Sequence, residues 1–261
     1  MIAMTSTVGS RRAGHMVERN YTSYRRNWMI FLTGFAEPLF YLFSVRIGIS
    51  HLVGGVTVGG HTVGYSQFVA PALMAAAAMN GAVMDSTFNV FFKLKYAKTY
   101  DAVLATPMTV ADVALGEVGW ALIRGAIYGT AFFVAMLVTG LVVSPWGLLA
   151  IPAAVLVAFA FGGAGMCGTS FMHSWQDFDL VMVIIVPLFL FSATFYPLST
   201  YPPGLRFVVQ CTPLYQGVEL LRGLCLGQLA PALIGHALYL ALMGWIGLRI
   251  ADRRLAHLLL P

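Results

Sequence analysis

Charge is the first thing this sequence lacks. Only 10% of its 261 residues are Asp, Glu, Lys or Arg, 59% are hydrophobic, and the mean hydropathy is +0.81. A soluble domain carries about 25% charged residues. A chain this bare cannot cover a globular surface with polar groups, so a water-soluble protein is excluded and lipid must act as the solvent. Lysine is scarcer still: the only three, Lys93, Lys95 and Lys98, fall in one run, KLKYAK. Cysteine is sparse as well. Cys167, Cys211 and Cys225 are spread out, and the last two could pair only if the chain doubles back between them.

Catalytic motifs are also missing. A phosphate-binding loop needs G-x-x-x-x-G-K-[ST], with the lysine reaching the terminal phosphates. Here Phe92, Leu94 and Ala97 precede the three lysines, so this chain does not bind and hydrolyse ATP by that route. No H-E-x-x-H, G-x-S-x-G or paired C-x-x-C occurs. In HSWQDFD, His173, Asp177 and Asp179 lie together without a second ligand set, which reads as a polar turn between spans rather than a metal or acid/base site.

What the chain does have is apolar runs. A bilayer core of about 30 Å needs roughly 20 apolar residues in a helix. Six runs meet or approach that measure, at 28–49, 68–92, 113–138, 148–172, 180–195 and 233–250. The segment 196–230 is too broken by Pro and Gly for a clean span, yet too apolar for a solvated loop. The reading is an all-α polytopic membrane protein, with residues 1–261 as a single unit.

The net charge is +5, but the positions of the charges matter more than their sum. Arg11, Arg12, Arg19, Arg25, Arg26, the three lysines, Arg249, Arg253 and Arg254 fall on one side of the six spans. Only Arg46, Arg206 and Arg222 fall on the other, with Arg124 inside span three. Cations gather on cytoplasmic loops. The expected topology therefore has both termini and the lysine loop in the cytoplasm, in the plasma (inner) membrane, with no role for nucleic acid. No secretory signal stands before Trp28.

Several finer expectations follow. Residues 10–27, with Arg19, Tyr21, Arg25 and Arg26, read as an amphipathic helix at the interface; a plain juxtamembrane anchor would look the same. Glu37, followed by Pro38, sits mid-span, where a carboxylate costs about 2.5 kcal/mol or more. It is either a substrate or gating contact, or a structural hydrogen bond to Asn80 or Arg124. His236 reads as a hydrogen-bonded packing residue. The glycines of FGGAGMCGTS suit close helix packing. Asp112 and Glu117 complement the start of span three. Tyr100, Val103 and Leu104 share one helical face, with Lys98 and Asp101 on the other. Thr106-Pro107 ends that short helix, and Thr109 caps the next with Asp112.

The segments YSQFVAPALMAAAAMNGAVMDSTF, TYDAVLATPMTVADVALGEVGWA and FLFSATFYPLSTYPPGLRFVVQCTPLYQGVELLRG carry a resemblance that covers nearly the whole chain. They look like the membrane subunits of type-2 ABC exporters (ABC-2 permeases), in particular the nodulation-factor (lipo-oligosaccharide) and daunorubicin exporter permeases. The resemblance implies that 98–108 is a coupling helix docking on a separate ATPase through Tyr100, Asp101, Val103, Leu104, Thr106, Pro107 and Met108. It implies that 10–27 is an interface helix touching the same subunit. It also implies that 196–230, marked by Tyr196, Pro197, Pro202, Pro203 and Pro213, is a re-entrant outer hairpin. Two ATPase subunits and a second permease copy or paralogue would complete the complex. ATP and Mg would be held by the ATPase, and no cofactor by this chain. Glu37, Pro38 and Asn80 would mark a pathway for an amphipathic, lipid-linked or drug-like substrate. The rival reading is a secondary transporter or channel driven by an ion gradient, in which Glu37 alone could carry a proton. An embedded transferase or hydrolase, and a non-transporting scaffold, are further alternatives.

Overall fold

The computed structural model describes residues 14–23, 25, 29–58 and 60–259. Arg26 and the side chain of Glu37 lie outside the described residues. Helix α1 (14–23) turns Met16 and Asn20 inward, one helical turn apart, and leaves Glu18, Arg19 and Tyr21 exposed. Helix α2 (Met29–Ser44) runs on through a π-helical turn, Val45–Ile49, and a last turn, Ser50–Val53. Gly54, at φ +71°, ends it in a conformation that favours glycine.

A two-stranded hairpin follows, unforeseen in the reading of spans. Strand β1 (Gly55–Val58) pairs antiparallel with β2 (His61–Gly64), Val56 opposite Val63 and Thr57 opposite Thr62. Alternating V-T-V and T-V around glycine is an ordinary hairpin signal, though it contains no long apolar run to mark it. Gln228 donates to the Val58 carbonyl at 2.9 Å and fastens the hairpin to the turn before the last helix.

Helix α3 (Tyr65–Met84) continues through a π-helical turn, Asp85–Asn89, into Val90–Lys95. Its middle, MAAAAM, is fully buried. Helix α4 (Thr99–Leu104) is short, α5 (Val110–Val138) is long, and α6 (Ala150–Thr169) follows a 3-10 turn at Pro145–Leu149. Helices α7 (Phe178–Leu190), α8 (Pro203–Cys211), α9 (Pro213–Leu226) and α10 (Ala232–Leu259) complete the described chain. Four helical stretches among the described residues are long and apolar enough to cross a membrane: Tyr65–Lys95, Val110–Val138, Pro145–Thr169 and Ala232–Leu258. A shorter apolar helix runs over Pro38–Ile49. The protein is an all-α membrane protein with one small hairpin.

The fifth apolar run differs from expectation. Its helix stops at Leu190 rather than Phe195 and has 13 residues. Ser192, Ala193 and Thr194 are buried but not helical, and Ala193 takes φ +54°. Two features accompany this: Pro197, four residues beyond Ala193, has no N–H with which to continue a helix through that carbonyl, and Arg222 of α9 donates to it at 2.8 Å instead.

Among the described residues the core has two main tiers, beside a small cluster of Ala193, Tyr201, Val209 and Tyr215. The larger packs α3 against α2, α5, α6 and α9. The smaller gathers Met16, Val90, Tyr100, Val113, Met166 and Leu255. The first and last helices therefore meet the lysine run at one end of the bundle, here termed the basic end. Small residues set the helix spacing. Ala154 Cβ lies 2.8 Å from where a Cβ on Gly129 would stand, and Gly163 meets the Gly244 backbone directly. Without a hydrophobic force between helices in lipid, such contact is what dispersion requires.

A Gly163→Ala exchange should lower the unfolding temperature in detergent, the overpacking costing about 1–3 kcal/mol. Gly168→Ala, which meets nothing within 4 Å, should leave it unchanged or raise it slightly, so equal effects would refute the packing account.

Candidate functional site

At the basic end the lysine run divides. Lys95 and Lys98 are exposed, but Lys93 retains only 9% of its exposure. Lys98 sits at φ +45° as the N-cap of α4. In α4 and the residues after it, Tyr100 is 1% exposed, while Val103, Leu104 and Met108 pack half-buried against the lower core. Asp101, Ala102, Ala105, Thr106 and Pro107 face outward. The expected two faces are both present, but Tyr100, expected among the docking residues, is not on the outer one: it is buried as the internal anchor. Thr106 Oγ1 donates to the Val103 carbonyl at 2.6 Å. The next helix begins as its residues require: Asp112 accepts from Thr109 N–H at 2.9 Å, and Asp112 N–H donates back to Thr109 Oγ1 at 3.2 Å.

Lys93 does not serve as a surface cation. Its Nζ donates to both carboxylate oxygens of Glu117 at 2.8 Å and to Asn20 Oδ1 at 2.9 Å, while Asn20 Nδ2 donates to Glu117 Oε2 at 3.0 Å. Glu117 is likewise more than a complement to a helix dipole; it is buried as the centre of this node. The three residues come from α1, the end of α3 and α5. Spacing in sequence gives no hint that they meet. The only available signal was that each is a polar residue on an otherwise apolar helical face.

Deeper in the bundle, α2, α3, α5 and α7 enclose a cavity of about 410 Å³. Pro38 and Asn80, both singled out from the sequence, line it together with Arg124 and Tyr128; Tyr41 and Phe189 contribute apolar wall. Arg124 Nη1 pairs with Asp85, and its Nη2 donates to Tyr128 Oη at 2.8 Å. This buried pair was missed, although opposite charges on two neighbouring apolar runs are themselves a functional signal.

At the opposite end, Pro203 and Pro213 each open a helix at its first turn, where the missing N–H costs nothing. Tyr196 and Pro202 are exposed and Pro197 is half-buried. Arg222, 2% exposed, binds Glu219, the Phe68 carbonyl at 3.3 Å and Ala193, with its guanidinium 3.9 Å from the Phe68 ring centre. It bolts α9 to the starts and ends of two other helices. His236 Nδ1 meets Gln216 Oε1, as expected of a packing residue. In HSWQDFD, Asp177 accepts from the backbone N–H of His173 at 2.7 Å and of Ser174 at 3.1 Å, which holds its carboxyl below the usual range. That is a turn. No metal-binding group of His, Cys, Asp or Glu occurs among the described residues, and the three cysteines are unpaired.

The sequence profile of the family described as "ABC-2 type transporter" matches residues 12–226. Proteins named nodulation protein J are similar over most of their length. That of Rhizobium leguminosarum bv. trifolii is 28% identical over 243 residues, 91% of this chain and 91% of the relative. That of Neorhizobium galegae is 27% identical over 247 residues, 92% of each. That of Azorhizobium caulinodans is 25% identical over 245 residues, 91% of this chain and 94% of the relative.

Replacing Lys93 by Met strands Glu117 as a buried charge, an effect of about 3–5 kcal/mol. Thermal unfolding in detergent should show the loss, and trypsin should cut faster at Arg19 and Arg25 as α1 loosens. The double variant Lys93→Met, Glu117→Leu should recover most of the stability; failure to recover would refute the pairing.

Proposed function

Because this chain belongs to the ABC-2 type transporter family, we propose that it is the permease subunit of an ATP-driven exporter, coupled to a separate ATPase. Two ATPase subunits and a second permease, identical or paralogous, complete the working complex. ATP and Mg are held by the ATPase. The chain crosses the membrane six times, with the basic end and both termini in the cytoplasm, and α8 and α9 dip into the outer leaflet as a re-entrant hairpin. The charge asymmetry supports this orientation.

One observation carries the coupling role. The segment from α4 to Pro107 presents Asp101, Ala102, Ala105, Thr106 and Pro107 outward while Tyr100 is sunk in the lower core. A push on such a face reaches the bundle, because its support is anchored rather than loose. Lys93 and Asn20 join that support to α1 and α5, so load at the loop reaches three helices together. ATPase closure would then tilt the spans around the cavity lined by Pro38 and Asn80. The apolar wall of that cavity, set beside a few polar groups, suits an amphipathic substrate, such as a lipid-linked saccharide. The resemblance of the sequence to lipo-oligosaccharide exporter permeases supports the same substrate class.

Asp101→Arg reverses charge on the exposed face of α4. Co-expressed with its ATPase, the variant should insert normally and keep its unfolding temperature but lose co-purification with the ATPase and substrate export. If the complex persisted with transport still coupled to ATP hydrolysis, docking through α4 would be wrong.

A further inference from the structure

Three buried cations are each matched by a carboxylate: Lys93 by Glu117, Arg124 by Asp85 and Arg222 by Glu219. Arg254 breaks the pattern. It is half-buried near the end of α10, its Nε is closed off from water, and among the described residues that atom has no hydrogen-bond partner. Among the described residues no carboxylate pairs with it, and Asp252, its near neighbour in the chain, forms no ion pair with Arg249, Arg253 or Arg254. Its guanidinium lies 4.0 Å from the ring centre of Phe171, which is 49% exposed just beyond the end of α6. The closed-off Nε is out of a ligand's reach, but the two Nη groups, engaged by no hydrogen bond among the described residues, are free to meet an anion.

The position says where the anion comes from. Leu238, Leu242, Trp245, Arg249 and Arg253 are exposed at helical spacing along α10, one stripe that passes from apolar to cationic at Trp245. Arg249 stands 5.4 Å from the Trp245 ring centre. Tryptophan with arginine one turn beyond it marks the depth of lipid headgroups. An anion there lies in the plane of the membrane, with apolar helix surface beside it for acyl chains.

We infer that Arg254, stacked on Phe171, with Arg249 and Arg253 on the adjoining stripe of the same helix end, binds the headgroup phosphate of an anionic phospholipid at the basic end of the bundle. Arginine suits this ligand, since its planar fork grips phosphate oxygens through paired N–H groups, and basic pockets between membrane helices recognise such headgroups. The site does not depend on docking of an ATPase.

The test uses the full chain purified in detergent, titrated with dioleoylphosphatidylglycerol or dioleoylphosphatidylcholine and read by native mass spectrometry and thermal unfolding. The wild type should retain the anionic lipid at a concentration about tenfold or more below that needed for the neutral one, as expected for lost charge-assisted hydrogen bonds, and should be stabilised by it. Arg254→Gln should lose both effects, and Arg254→Lys should keep part of them. Should Arg254→Gln not insert, the double variant Arg249→Gln, Arg253→Gln should weaken retention instead. Equal retention of the two lipids overturns the site, as does full retention by Arg254→Gln. So does an equal loss on changing the distant Arg19 to Gln, which would mean diffuse surface charge. Displacement by soluble glycerol phosphate at matching concentration would point to a free phosphate and refute the lipid. Loss of a co-expressed ATPase from Arg254→Gln with lipid retention intact would refute it too, by assigning the anion to a partner protein.

Discussion

Removing two charges from water costs several kcal/mol each, repaid only when they meet at close range with their remaining hydrogen-bonding capacity filled. The Lys93–Glu117 pair satisfies that condition through Asn20, which donates to the carboxylate and accepts from the ammonium. The consequence is mechanical. Helix α1 has Met16 and Asn20 as its buried residues in this region, so the polar node fixes its position against α5. The loop carrying α4 springs from the same stretch of α3. The node thus makes one body of three elements that a partner could load.

The same rule repeats at other depths. Arg124 with Asp85 joins α5 to the π-helical turn of α3, and Arg222 with Glu219 joins α9 to Phe68 and Ala193. Each sits where helices would otherwise be held by dispersion alone. Between these polar ties the helices close on small residues, Gly129 against Ala154 and Gly163 against Gly244. Packing sets the distances and the ion pairs set the register. Arg254 stands apart because no carboxylate among the described residues pairs with it.

Much of the architecture was legible. The short loop helix, its two faces and the Thr109–Asp112 cap were readable because they depend on local periodicity and capping chemistry, whereas the burial of Tyr100, expected to dock, depends on the helices around it. So was the glycine packing of α6. The β-hairpin was readable in principle, since V-T-V and T-V alternate about glycine, but a search for apolar length passes over ten residues of that kind. The end of the fifth helix was only partly local: Pro197 denies the Ala193 carbonyl a helical donor, but nothing nearby announces that an arginine 29 positions beyond Ala193 will claim it. Lys93 and Glu117 were misplaced for a similar reason, since a charge near a helix end reads as solvated unless its partner is known.

The sequence alone therefore determined the solvent, the helical class, the family and the local punctuation, because hydropathy, periodicity and caps act within a few residues. Only the tertiary structure decided which charges are buried, which are paired and which is left wanting an anion. Those outcomes depend on residues as far apart as Asn20 and Glu117, and electrostatic energy is set by separation in space and by the dielectric around it, neither of which is written in linear order.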